Sequence, residues 1–114
     1  MQTNSKERYA GINSFLNADL YKGLNESAIR EDRQTMMDYT SKVEMTLFLN
    51  GIDLNDEQVR RRVVLTIKAI MSQRLQNRYL EGMGEASEIV SLDDVMAERL
   101  NKYFGIETKQ AIRK

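Results

Sequence analysis

Three acidic pairs, Glu31-Asp32, Asp56-Glu57 and Asp93-Asp94, are the residues whose types best suit them to chemistry in this chain. Paired carboxylates can hold a divalent cation or divide into a general acid and a general base. Their positions favour a structural role instead. The second and third pairs fall where helices are expected to begin, and negative charge there offsets the helix macrodipole. Adjacent helical residues also point about 100° apart, so such a pair does not readily converge on one ligand. The run Asp53–Glu57 has the polarity of a calcium loop, but Gln58 stands where that loop needs glycine and Val64 where it needs a bidentate acid. Gly82-Met83-Gly84 lacks the lysine ending of a phosphate loop and follows a helical pattern, so it reads as a helix stop.

Histidine, cysteine, tryptophan and proline are all absent. Without histidine and cysteine there is no Ser-His-Asp or Cys-His catalysis and no structural zinc site of the usual kind. The expectation is therefore a protein that is not an enzyme and carries no metal or cofactor. The one concentrated charge is basic: Arg60-Arg61-Arg62, then Lys68, Arg74 and Arg78. At 100° per residue these side chains spread over several directions, whereas a DNA-reading helix gathers them on one exposed face. Three readings stay open: a solvated or internally paired face, salt bridges between subunits, or phosphate contacts. Overall the 17 basic residues are balanced by 17 acidic ones, so no global charge drives binding to nucleic acid or lipid.

The elements that position these residues are helical. The chain has 114 residues, 41% of them hydrophobic, enough for one packed domain. The expected fold is all-α: a four-helix domain over residues 1–105, built on two long antiparallel helices with shorter N- and C-terminal helices. Residues 106–114 are expected to form a flexible arm. Ser5 to Leu16 reads as the first helix, with Tyr9, Ile12, Phe15 and Leu16 on one face, and Leu20 and Tyr21 tether the connector after it. The second helix should follow an Asn25 cap and run to about Leu49, with Ile29, Met36, Thr40, Val43 and Leu47 as its apolar stripe. Asn50-Gly51 should end it. For the third, Asn55 is the expected cap, with Gln58 reaching back, and Val59, Val63, Ile67, Ile70 and Met71 form the core stripe to Leu80 or Glu81. Ser91 should cap a last helix, Leu92 to Phe104, closed by Gly105.

The two long helices carry apolar residues beyond one stripe: Met37, Tyr39, Met45 and Phe48 on one, Val64, Leu65, Leu75 and Tyr79 on the other. Two short partner helices cannot cover all of that, and exposed apolar patches mark interfaces. Assembly into oligomers is expected, with Met37, Met45, Tyr79 and Arg60 to Arg62 as interface candidates. No signal peptide is expected from the polar opening Met1–Asn4, and runs such as Val63-Val64-Leu65 are too short to span a membrane.

The order of elements, the run Val59–Ile70 followed by Gln76-Asn77-Arg78-Tyr79, the closing Leu100-Asn101-Lys102-Tyr103 and the opening Ile12–Leu16 together resemble the head–tail connector (adaptor or head-completion) proteins of tailed phages. Two positions depart from that family's habits: Leu75-Gln76 where an aromatic-Glu pair is common, and Ser91-Leu92 where a proline often opens the last helix. The resemblance implies a homo-oligomeric ring in the virion, between portal and tail-completion protein, assembled in the cytoplasm of the bacterial host. DNA would pass through it without being gripped. The C-terminal arm, with Ile106, Lys109, Ile112, Arg113 and Lys114, would dock on the portal. A small helical DNA-binding or regulatory protein using the Arg60–Arg78 face is the alternative, and an inhibitor of a host enzyme a third reading.

Overall fold

The computed structural model describes residues 25–107. They form three α-helices: α1 (Glu26–Leu49), α2 (Glu57–Gly82) and α3 (Leu92–Phe104), with one 3-10 turn at Ala86–Glu88 before α3. Among the described residues there is no strand. The fold class is thus all-α. The expected first helix, Ser5–Leu16, lies outside the described residues.

The ends of the helices follow from single side chains. Asn25 Oδ1 accepts the Ala28 N–H at 2.8 Å, filling one of the unpaired donors of the first turn of α1. At its other end Gly51 adopts φ +74°, which lets Gly51 N–H bond to Phe48 C=O and Ile52 N–H to Leu47 C=O. This is a Schellman turn, and a side chain at Gly51 would be strained at that φ. Gly84 (φ +76°) closes α2 the same way, with Gly84 N–H on Glu81 and Glu85 N–H on Leu80. Ser91 caps α3, its Oγ accepting from Asp94 N–H, and Gly105 ends it in the left-handed region.

The start of α2 differs from expectation. Asn55 is not the cap; its N–H donates to Asp53 Oδ1 at 2.9 Å in an Asx turn. Asp56 takes the capping role, its Oδ1 accepting from Gln58 N–H at 2.8 Å and from Val59 N–H at 3.4 Å. The physical reason is charge: a carboxylate makes a stronger bond to exposed backbone donors than an amide oxygen and also answers the dipole.

The chain divides into two compact units at Lys68–Ala69, inside α2. In the first, Asp32, Met36, Thr40, Val43 and Leu47 make the buried face of α1, each three or four residues from the next, and Val63, Thr66 and Ile67 that of α2. Two buried threonines fit because each hydroxyl bonds to its own helix: Thr40 Oγ1 to Met36 C=O at 2.7 Å and Thr66 Oγ1 to Arg62 C=O at 2.8 Å. Ile29 and Val59, expected in the stripes, are only half-buried, while Asp32 and Thr66, not expected there, are fully buried.

In the second unit the buried residues are Ile70 and Met71 of α2, Val95, Met96, Ala97 and Leu100 of α3, and Ile106 beyond it. Fully burying a side chain such as Ile70 or Leu100 stabilises by about 1.5–3 kcal/mol, which outweighs the few tenths that helix propensity contributes per residue. Ile106 is a correction. It does not begin a free arm: it is 7% exposed, and its N–H bonds to Leu100 C=O at 3.3 Å. An apolar residue just past a helix-ending glycine is drawn back onto the core.

Candidate functional site

Among the described residues no group of acidic residues is placed to hold a metal ion. The acidic pairs instead do local work. Asp56 caps α2 with Glu57 in its first turn, and Asp93 and Asp94 occupy the first turn of α3. The first pair is split, with Asp32 buried and Glu31 exposed on α1.

The arginine triplet is divided as well. Arg61 Nη2 lies 3.1 Å from Glu57 Oε2, one turn earlier on the same helix, with both side chains open to solvent. For Arg61 this is the first of the three readings, a solvated and internally paired face, because i,i+4 spacing brings it to its acid within α2. Arg60 is half-buried and Arg62 exposed, and Arg74 and Arg78, further along the helix, are half-buried.

What remains exposed is apolar. In the first unit Met45, Phe48 and Leu49 sit on the last turns of α1, with Phe48 67% and Leu49 73% exposed. Spacings of three and four put these three on one face of the helix. Phe48 also lines a groove of about 440 Å³ with Gly51, Ile52, Asp53, Leu54 and Asn55. Met37 is exposed two turns earlier, and Leu65 is exposed on α2. In the second unit Tyr79 (65% exposed) and Met83 lie one turn apart at the end of α2, and Ile89 and Val90 are exposed just before α3. Leu49, Ile89 and Val90 were missed from the sequence because they sit in end turns and loops, where helical periodicity carries no information.

The second unit also contains a long-range polar tie. Asn77 Nδ2 donates to Val90 C=O at 2.7 Å, and Asn77 Oδ1 accepts the Val90 N–H at 3.1 Å. The side-chain amide thus pairs with the backbone as a neighbouring strand would. Gln73 Nε2 donates to the same Oδ1 at 3.0 Å, fixing which way the amide faces. Beside this tie lies an open groove of about 590 Å³, with Gln73, Gln76 and Leu80 on the helix side and Glu85, Glu88 and Val90 on the loop side. The resemblance to connector proteins drew on the Gln76–Tyr79 segment but did not indicate what Asn77 does. The closing Leu100–Tyr103 segment places Leu100 in the core, and Lys102 Nζ and the Arg99 guanidinium stand 5.8 and 5.9 Å from the Tyr103 ring centre.

Of the expected arm, Lys109, Ile112, Arg113 and Lys114 lie outside the described residues. No helix among the described residues is long and apolar enough to cross a membrane. Comparison with protein-family models, with curated proteins and with solved structures gave no match.

Proposed function

We propose that this chain is a non-enzymatic assembly protein of a tailed phage or prophage. In this reading copies form a ring between portal and tail-completion protein and extend the DNA channel. The ring belongs to the virion and is assembled in the cytoplasm of the bacterial host. The expected subunit is a four-helix one, with α1 and α2 antiparallel and the Ser5–Leu16 helix as the fourth member.

The observation that carries the reading is the exposed apolar set Met45, Phe48, Leu49, Tyr79 and Met83. Scattered apolar residues are normal on a surface, but groups of this kind at helix ends mark places where another protein sits. A zero net charge suits a channel that must let DNA slide, since counterion release on binding scales with the phosphates neutralised. The alternative of a DNA-binding protein using the Arg60–Arg78 face has less support, because Arg61 is already engaged by Glu57. Co-expression with portal and tail-completion proteins, followed by electron microscopy, tests the proposal. Rings with an open centre, seated on the portal, are expected. Absence of any particle larger than the single chain, with or without those partners, contradicts it.

A further inference from the structure

From Tyr79 to Glu98 the chain carries Glu81, Glu85, Glu88, Asp93, Asp94 and Glu98 and no lysine or arginine, although the whole is neutral. Glu81, Glu85 and Glu88 are exposed, and among the described residues none of the three takes part in an ion pair. Glu85 and Glu88 line the groove of about 590 Å³, whose walls also offer the apolar side chains of Leu80 and Val90. Charge of one sign in a concave surface concentrates the opposite sign there. The matching occupant is a basic segment with an apolar anchor.

Residues 108–114, Thr-Lys-Gln-Ala-Ile-Arg-Lys, have that chemistry: Lys109, Arg113 and Lys114 around Ile112, and no acid. Seven residues reach about 23–25 Å at full extension. They start beyond the C-terminal end of α3, whereas the groove lies at Val90, before the N-terminal end of the same helix. A helix of 13 residues is about 20 Å long. Crossing to its own groove would use nearly the whole segment and leave too little to seat Ile112 to Lys114. A second copy imposes no such crossing.

We infer that the C-terminal residues 108–114 of one copy dock in the groove between the end of α2 and the 3-10 loop of another, with their basic side chains on Glu85 and Glu88. The contact is heterologous, head to tail, and forms a ring where the rotation between copies closes. It rests on the self-assembly in the proposed function, and not on the portal or the phage setting.

A charge swap in the full chain tests it. One variant carries Glu85→Lys and Glu88→Lys, the other Lys109→Glu, Arg113→Glu and Lys114→Glu; sedimentation reports association, and circular dichroism checks helicity. Each variant alone is expected to associate at least about tenfold more weakly than the natural chain, since like charges then face each other. A mixture of the two is expected to recover association, because each groove then meets a tail of opposite sign. Unchanged association of both variants, or a mixture that fails to recover, overturns the inference while self-assembly stands. Recovery only when all five changes share one chain would seat the segment in its own groove and overturn it too. A defect of the tail variant seen only in portal binding does the same. A natural chain that never associates removes the self-assembly reading itself.

Discussion

Residues 50–56 and residues 83–91 both turn the chain from one helix into the next, and both open with a glycine-bearing Schellman turn. Beyond that turn they diverge. The first connection is satisfied locally: Asn50 Nδ2 donates to Thr46 C=O, Asp53 accepts from Asn55, and Asp56 accepts from Gln58. The second has a 3-10 turn and then depends on Asn77, thirteen residues back, to hold Val90. It is also exposed throughout, acidic, and beside the larger groove. A connection tied by one distant side chain holds its ends while leaving its middle free to meet a partner, which suits a contact surface better than a locally locked turn does.

The largest expected effect comes from the core of the first unit. Ile67 is fully buried, so Ile67→Asp places a charge in an apolar setting and should cost about 4 kcal/mol or more, unfolding the chain. A helical Ile67→Asp protein with unchanged thermal melting would show the core to be misassigned. Next, Asn77→Ala removes both bonds to Val90. With those groups open to water, a loss of about 1–2 kcal/mol is expected, together with faster amide exchange at residues 85–90 and unchanged exchange at 50–56. Equal changes in the two connections would erase the contrast between them.

Asp56→Ala should cost about 1 kcal/mol by denaturant titration, the usual worth of an N-cap, and speed exchange only at the start of α2. An equal loss from Asn55→Ala would return the capping role to Asn55. Arg61→Ala removes an exposed pair and should change stability by less than about 0.5 kcal/mol, an effect that fades with added salt. Smallest of all on stability is Phe48→Ser, expected near zero within about 0.5 kcal/mol because the ring is already exposed, yet self-association should weaken measurably. Unaltered association would remove the end of α1 from the interface.

The contrast between the connections also explains what was legible in the sequence. The bounds of α1 and α3 follow from Asn25, Gly51, Ser91 and Gly105, each acting within a few residues of itself. Met36, Val43, Leu47, Val63, Ile67, Ile70 and Met71 follow from helical spacing, and all are buried. Asp56 was misread because Asn55 offers the same spacing one residue earlier; the Asp56 carboxylate takes the cap while the Asn55 N–H is drawn into the Asp53 turn. Asp32 was missed from the core because a carboxylate scores as surface wherever it falls. Ile106 was assigned to the arm because nothing local shows the chain folding back onto Leu100. Asn77 and the groove depend on residues thirteen apart, a separation no periodicity encodes. The exposure of Met37, Met45 and Tyr79 was anticipated from stripe width alone.

The central claim, that the exposed apolar surface is covered by other copies, is tested most directly by the native mass of the full chain over a wide concentration range, alone and with a portal protein. The account predicts particles at multiples of 13.2 kDa that grow with concentration and settle into a closed ring on the portal. A mass of 13.2 kDa under every one of those conditions would contradict it.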